Sequence, residues 1–259
     1  MLVVHEVGMA FGGVVALEGV SFTVKDRTVT GVIGPNGSGK STLINVMTGY
    51  YRPTRGRVTL DAQVLSGQSP ETVRRLGVSR TFQNLRLVQE MTVLDNAVAG
   101  LYLSATAGAG MASAAVSAFF ATPAARGRTR QARRMALESL ELVGLGQYAG
   151  RRVGDLAYAQ QKRLELARAV ALRPRVLILD EPTAGMSSDE AEDLVDTVVK
   201  LARDSDAPMC LFLVEHRLEL VLRVSDEVVV MDGGRVIVTG ASAQIAKDPE
   251  VHRIYVGGE

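Results

Sequence analysis

The sequence predicts an α/β domain organised around a parallel β-sheet. Three short apolar runs lack polar alternation, which is typical of parallel strands buried on both faces. These runs are Val29 to Ile33, Val176 to Leu179 and Met209 to Val214. The first run continues into a glycine-rich segment, Gly34 to Gly39, and then into a helical pattern from Lys40 to Met47. Because ligands of open parallel sheets bind beyond the carboxyl ends of the strands, we expect the polar residues that end these runs to meet at one site.

Periodicity predicts further elements around this sheet. Alternation over Val20 to Val24 predicts an early strand, and a basic amphipathic pattern over Arg128 to Val143 predicts a helix. Val228 to Met231 and Arg235 to Thr239, joined by a glycine turn, predict a β-hairpin.

One domain with an insert is the predicted organisation, because the pattern from Thr92 to Leu142 is helical. The predicted boundaries are 1–240 for the domain, 1–83 and 161–240 for its α/β core, 84–160 for the helical insert and 241–259 for a helical tail.

The composition excludes several classes of protein. With 259 residues, of which 47% are hydrophobic, the chain suits a folded α/β protein rather than a disordered one. The 29 Lys and Arg nearly balance the 28 Asp and Glu, so bulk charge does not favour a nucleic-acid partner. The single cysteine, Cys210, cannot form an internal disulfide and fits a reducing interior. Residues 1–11 lack the basic start and apolar run of a secretory signal.

The stretch from Asn96 to Ala125 carries no charged side chain, which raises the question of a membrane span. Ala, Gly and Ser dominate the stretch, whereas spanning helices are rich in Leu, Ile, Val and Phe. We therefore expect that it does not span a membrane.

The glycine-rich segment matches a phosphate-binding loop in every fixed position and stands between a predicted strand and a predicted helix. Glycines let successive backbone amides turn towards a polyphosphate, and the helix that follows presents its positive end. Lys40 would neutralise the β and γ phosphates, and the Ser41 hydroxyl would bind Mg²⁺. The candidate nucleotide-binding residues are Gly34, Pro35, Asn36, Gly37, Ser38, Gly39, Lys40, Ser41 and Thr42.

An acidic pair, Asp180 and Glu181, ends the second apolar run. An aspartate at the end of a buried strand can bind Mg²⁺, and a neighbouring glutamate can orient or deprotonate an attacking water. Such a pair is common in α/β proteins, but together with the phosphate loop it predicts hydrolysis of a nucleotide.

Further segments follow in the order seen in ATP-binding cassette (ABC) proteins, which the chain resembles over essentially its whole length. They are Thr81-Phe82-Gln83, Leu156 to Gln160, Asp180-Glu181-Pro182 and His216. The resemblance implies an ABC-type P-loop NTPase core with an N-terminal antiparallel β subdomain and an inserted helical subdomain. It also implies that two cassettes enclose two ATP molecules. Each ATP lies between the phosphate loop of one subunit and the signature segment, which is Leu156 to Gln160 in this chain, of the other.

The resemblance also implies individual roles. Phe11 would stack on adenine, and the signature residues Ala157, Tyr158, Ala159 and Gln160 would contact the ATP of the other subunit. The implied catalytic residues are Lys40, Gln83, Glu181 and His216, and the implied Mg²⁺ ligands are Ser41, Gln83 and Asp180.

The signature segment departs from the general family pattern of Leu, Ser, Gly, Gly, Gln. Ala157 lacks a hydroxyl, Tyr158 adds bulk, and Ala159 replaces a glycine. If Ala159 had to adopt a positive φ, the strain would cost on the order of 1 kcal/mol. Ser187 likewise stands where many members of the family carry an aspartate.

The Leu-Ala-Tyr opening resembles one subfamily, the ATPases of branched-chain amino-acid importers. That resemblance implies a second cassette, transmembrane permease subunits, a solute-binding protein acting indirectly and no nucleic acid. It also implies a peripheral location on the cytoplasmic face of the cell membrane. The uncharged stretch would then be a surface that meets the permease, with Phe119 and Phe120 either in that contact or inside the insert.

Other functions stay open on the sequence alone. A lipopolysaccharide-type exporter ATPase shares a similar chain ending, although the enlarged insert argues against it. A non-transport switch protein of the same family is disfavoured by the single cassette and near-neutral charge. A small-molecule kinase would not need Gln83, the signature segment or His216. Urea and amide importers are not distinguished from amino-acid importers.

Overall fold

The computed structural model describes residues 1–81, 87–105, 123–204 and 209–256. The chain forms two compact units. Met1–Arg80 and Arg175–Glu259 make an α/β unit, and Thr81–Pro174 make a helical unit.

The strands of the α/β unit form two sheets. Their bounds are β1 (Leu2–Phe11), β2 (Val14–Val24), β3 (Val29–Ile33), β4 (Arg55–Leu60), β5 (Gln63–Val64), β6 (Val78–Arg80), β7 (Val176–Asp180), β8 (Cys210–Val214), β9 (Glu227–Asp232) and β10 (Arg235–Ala241). One sheet is antiparallel with the order β2-β1-β4-β5. The other has the order β10-β9-β3-β8-β7-β6, in which only the β9–β10 pairing is antiparallel.

The predicted strands are confirmed. Every residue of β3, β7 and β8 is buried, as expected for strands without polar alternation. In β2 the predicted alternation places Val20, Phe22 and Val24 in the core. The predicted hairpin is β9–β10, with Gly233 and Gly234 in its turn at positive φ.

The helices of the α/β unit alternate along the chain with its strands or follow them. Their bounds are α1 (Lys40–Met47), α2 (Pro70–Arg75), α6 (Ser188–Asp204), α7 (Leu218–Val224), α8 (Ser242–Ile245) and α9 (Pro249–Val256). The last two lie within residues 241–259, the segment predicted to form a helical tail.

Two apolar clusters build the core of this unit. The larger one joins α1 to both sheets and includes Phe22 and Phe212, whose rings stack with centroids 5.7 Å apart. The smaller one joins β3 and β9 to the helices that follow, through residues such as Ile33 and Val221. Because side chains alternate along a strand, neighbouring Val32 and Ile33 fall in different clusters and the parallel sheet is covered on both faces.

The helical unit contains α3 (Val93–Ala105), α4 (Pro123–Leu142) and α5 (Tyr158–Val170), with short 3₁₀ turns at Gly146–Tyr148 and Val153–Asp155. The amphipathic pattern predicted from Arg128 lies in α4, which begins earlier, at Pro123.

The core of the helical unit follows that amphipathic pattern. Its buried residues include Leu101 of α3, Ala136 and Leu140 of α4, and Leu164 of α5. Among the described residues, no helix is long and apolar enough to cross a membrane. Phe119 and Phe120 lie outside the described residues, so the predicted permease surface remains a prediction.

Cys210, the first residue of β8, belongs to the larger apolar cluster of the α/β unit and provides a test of that cluster. Burial raises the pKa of the Cys210 thiol to about 12, and a hydrogen bond to the Asp26 carboxylate acts in the same direction. At pH 8 roughly one thiol in ten thousand would be ionised, and the thiolate is the reactive form. We expect negligible alkylation by iodoacetamide in the folded protein and one equivalent after denaturation, measured by mass spectrometry. Rapid alkylation of the folded protein at pH 8 would contradict the burial of β8.

Candidate functional site

The phosphate loop connects β3 to α1 and depends on glycine at several positions. Gly37 and Gly39 have φ values of 82° and 97°, in the left-handed region that favours glycine. A Cβ atom on Gly39 would lie 2.8 Å from the Ala16 carbonyl oxygen, and one on Gly34 would lie 2.1 Å from that of Met231. The loop therefore combines a conformation and a closeness to neighbouring backbone that only glycine permits.

Backbone hydrogen bonds connect the phosphate loop to the β9–β10 turn, and that turn to strand β2. The Gly234 N–H donates to the Ser38 carbonyl over 3.2 Å, and the Glu18 N–H donates to the Gly234 carbonyl over 2.8 Å. Strand β2 and the β9–β10 turn thus support the loop. This support preorganises the loop amides before any ligand binds.

The Lys40 ammonium lies inside the loop and is buried. Its Nζ donates to the carbonyl oxygens of Gly34 and Pro35 over 2.7 and 2.9 Å, and to Ser38 Oγ over 3.2 Å. Burial lowers the pKa of Lys40, while the carboxylates of Glu181 and Asp180 oppose that shift. A buried cation whose partners are neutral oxygens is suited to exchange them for phosphate oxygens, which bind it more strongly.

The start of α1 is suited to an anion. Its first turn contains no acidic side chain, and Ser41 there is exposed. Backbone N–H groups at a helix N-terminus and the helix dipole both favour negative charge. Together with the glycine cradle, this end of α1 fits the phosphates of a nucleotide.

Asp180 ends β7 and is buried. Arg80 Nη2 donates to Asp180 Oδ2 over 2.8 Å, and Arg80 Nη1 donates to Asn45 Oδ1 of α1 over 2.7 Å. Arg80 therefore links β6, β7 and the helix that follows the phosphate loop.

The donor set suits Mg²⁺ held partly by phosphate. The part of the chain that the structure describes contains no group of three or more His, Cys, Asp or Glu side chains able to hold a metal. Mg²⁺ commonly uses only one or two protein carboxylates and completes its shell with phosphate oxygens and water. The Asp180 carboxylate and the Ser41 hydroxyl are oxygen ligands of that kind, whereas Gln83 lies outside the described residues.

Glu181 and His216 form a directly bonded pair. Strands β7 and β8 are parallel neighbours with Asp180 opposite Val214, so the residues that follow them come together. Glu181 Oε1 lies 2.7 Å from His216 Nε2. Glu181 also has a φ of 48°, an unfavourable conformation for a residue with a Cβ atom. Such strain concentrates at functional sites, where the surrounding structure maintains it.

Phe11 ends β1 and is 43% exposed. Its ring meets that of Tyr51 edge to face, with centroids 5.2 Å apart. An exposed ring face can stack on a flat aromatic ligand such as a nucleobase.

The signature segment lies at the start of α5, in the helical unit. The Ala157 N–H donates to Gln160 Oε1 over 3.0 Å, and Tyr158 is 44% exposed. Ala159 is the second residue of α5 and has a helical backbone, not a positive φ. The strain considered for alanine at this position is therefore absent.

Ser187 has a structural role at the start of α6. Its N–H and hydroxyl both donate to Glu190 Oε2, over 3.0 and 2.9 Å, and its Oγ accepts the Glu190 N–H over 3.4 Å. This reciprocal arrangement caps the helix, and the bonds from Ser187 lower the pKa of Glu190.

Sequence reasoning gave no role in the site to Arg80, Thr183 or Arg217, whose side chains support it. Glu215 was predicted to lie at the site only in general terms, as one of the polar residues that end the third apolar run. Its hydrogen bonds to Thr183 were not predicted.

Comparison with known proteins now identifies the family. A family model described as "ABC transporter" matches residues 17–184, which include the phosphate loop and the Asp180–Glu181 pair. The chain belongs to the ABC transporter family. It is an ABC-type ATPase whose nucleotide is ATP, and the fold class predicted from sequence is confirmed.

Several relatives of this ABC ATPase match it nearly end to end. The branched-chain amino acid transport ATP-binding protein BraF of Pseudomonas aeruginosa is 40% identical over 257 residues, covering 99% of this chain and 98% of BraF. LivG of Escherichia coli K12, with the same description, is 35% identical over the same shares. A solved ABC transporter cassette in its ADP conformation superposes with a TM-score of 0.84 at 31% identity, covering 100% of this chain and 99% of that one.

Proposed function

We propose that the chain is the ATP-hydrolysing subunit of an importer for branched-chain amino acids or a related small polar solute. The observation that carries this proposal is the 40% identity to BraF over nearly the whole of both chains. Such full-length similarity favours this function over the exporter ATPase, the switch protein and the kinase. The sequence resemblance to the same subfamily agrees with it.

The phosphate loop supplies the binding part of the proposed mechanism. The loop amides and Lys40 would bind the β and γ phosphates, and Phe11 would stack on adenine. Mg²⁺, when bound, neutralises charge on the phosphates, and Ser41, Gln83 and Asp180 would hold it. Arg80 keeps the Asp180 carboxylate directed through its 2.8 Å hydrogen bond.

The Glu181–His216 pair supplies the chemical part. The Glu181 carboxylate would accept a proton from the attacking water, and the 2.7 Å contact with His216 Nε2 would keep that carboxylate oriented. His216 would also contact the γ phosphate, where negative charge shifts during the reaction.

A second cassette would complete the site. Its signature residues, Ala157 to Gln160, would contact the ATP bound by the first, so that ATP closes the dimer and hydrolysis reopens it. We propose that residues 1–240 form the cassette, with the helical insert at 84–160, and that residues 241–259 form a tail. The dimer would act on permease subunits at the cytoplasmic face of the cell membrane, with a solute-binding protein acting indirectly and no nucleic acid involved.

Reconstitution of the transporter tests the solute. The chain is purified with the permease subunits it associates with, placed in liposomes and assayed for ATP hydrolysis with the matching solute-binding protein. We expect leucine, isoleucine or valine to raise the ATPase rate several-fold over the solute-free complex. A complex with the Lys40→Ala substitution is the control for contaminating ATPases. Stimulation by urea or short amides alone would assign a different solute, and stimulation by a lipopolysaccharide would contradict the importer.

A further inference from the structure

Three successive residues after β8 bond to the segment that follows β7. Glu215 Oε1 accepts the Thr183 N–H over 2.9 Å and the Thr183 hydroxyl over 2.7 Å. His216 Nε2 lies 2.7 Å from Glu181 Oε1, and Arg217 Nη2 donates to the Met186 carbonyl over 3.0 Å. The loop that carries His216 is therefore hydrogen-bonded to Glu181, Thr183 and Met186.

Glu215 is the buried member of this set. It is 3% exposed, and its second carboxylate oxygen accepts the His216 N–H over 3.3 Å. A buried carboxylate is costly unless hydrogen bonds compensate it. Here the hydrogen bonds come from Thr183 on one side and His216 on the other, so a single side chain joins the two segments.

The segment after β7 needs such support because Glu181 is strained. Its φ is 48°. In the turn that follows, the Ala184 N–H donates to the Glu181 carbonyl over 3.2 Å, and the Met186 N–H donates to the Thr183 carbonyl over 3.1 Å. A strained backbone persists only where surrounding contacts over-determine it. The two hydrogen bonds from Thr183 to Glu215 fix the segment two residues after the strain.

We propose that Glu215 is a positioning residue for hydrolysis. Acting through Thr183, it holds Glu181 in its left-handed conformation with the carboxylate against His216. The same loop reaches Met186 through Arg217, immediately before the helix cap at Ser187. This inference rests on the proposed role of Glu181 as the group that activates water.

Substitution of Glu215 should separate turnover from binding. Glu215→Ala removes the acceptor of both Thr183 bonds, and a displacement of about 1 Å in a reacting group can lower turnover by roughly 100-fold. We expect kcat to fall by about 10- to 100-fold, with the Kd for ATP within about twofold of the parent because the phosphate loop is untouched. Glu215→Gln retains an acceptor for Thr183 and should recover part of kcat.

Thr183→Val is the second variant, in case Glu215→Ala does not fold. It keeps the size and the N–H of Thr183 but removes the hydroxyl bond, so we expect a smaller fall in kcat at an unchanged Kd. Glu219→Gln, on the exposed start of α7, is the matched control and should behave as the parent.

A double variant distinguishes this inference from the proposed role of Glu181. Adding Glu215→Ala to Glu181→Gln should cause no further fall in kcat, because both changes affect the same water-activating group. The inference is overturned if Glu215→Ala and Thr183→Val both hydrolyse ATP at the parental rate. It is also overturned if the falls in kcat caused by Glu215→Ala and Glu181→Gln add up in the double variant, or if Glu215→Ala lowers kcat, ATP affinity and the Tm together. Failure of the underlying function appears differently, as a Glu181→Gln variant with parental kcat.

Discussion

Replacing Lys40 by alanine is expected to remove most of the affinity for ATP. The Lys40 ammonium is buried within the phosphate loop and is bonded to the Gly34 and Pro35 carbonyls, which a triphosphate would replace. A hydrogen bond to a charged group contributes about 1.5 to 3 kcal/mol, so losing contacts to two phosphates should weaken binding by at least about 100-fold. Isothermal titration calorimetry with ATP and Mg²⁺ measures the effect.

Lys25→Ala is the matched control for this substitution. Lys25 is exposed and pairs with Glu227 across 3.7 Å, at the start of β9. We expect the Lys25→Ala variant to bind ATP with the affinity of the parent. Tight ATP binding by Lys40→Ala would show that the phosphates lie elsewhere and would remove the basis of the candidate site.

The Glu181→Gln variant is expected to bind ATP normally but to lose hydrolysis. Glutamine has almost the same size and can still accept a hydrogen bond from His216, but it cannot take a proton from water. General base catalysis contributes about 100- to 10,000-fold, and we expect a loss of kcat in that range. With hydrolysis blocked, ATP should trap a closed dimer of two cassettes, detected by size-exclusion chromatography with light scattering.

Two controls make this result specific. Glu219→Gln changes an exposed carboxylate in the same unit and should leave kcat unchanged. Circular dichroism and the Tm show whether Glu181→Gln is folded. Hydrolysis at the parental rate by a folded Glu181→Gln variant would refute the role proposed for Glu181, while loss of dimerisation with ATP would refute the trapped state.

The parts of the site that are local in sequence were predictable. The phosphate loop was found because its glycines, Lys40 and Ser41 have a fixed spacing between a strand and a helix. The strands β3, β7 and β8 were found because strands buried on both faces need unbroken apolar runs. Their parallel pairing then brings Glu181 and His216 into contact, since both follow strand ends at the same edge of the sheet.

The supporting contacts were not predictable, because they join residues far apart in the chain. Thr183 and Glu215 are 32 positions apart, and Arg80 and Asp180 are 100 positions apart. No spacing rule relates such pairs, which meet only through the order of strands β6, β7 and β8. The backbone of Ala159 is a further case, since the motif does not state whether that position is helical.

The most direct test of the site is the structure of the Glu181→Gln variant with ATP and Mg²⁺. We expect the triphosphate in the loop from Gly34 to Thr42, with Lys40 Nζ moved from the loop carbonyls to the β and γ phosphates. The Ser41 and Asp180 oxygens should face the metal, and His216 should face the γ phosphate. A triphosphate bound outside this loop, or one whose γ phosphate is out of reach of His216, would contradict the proposed site.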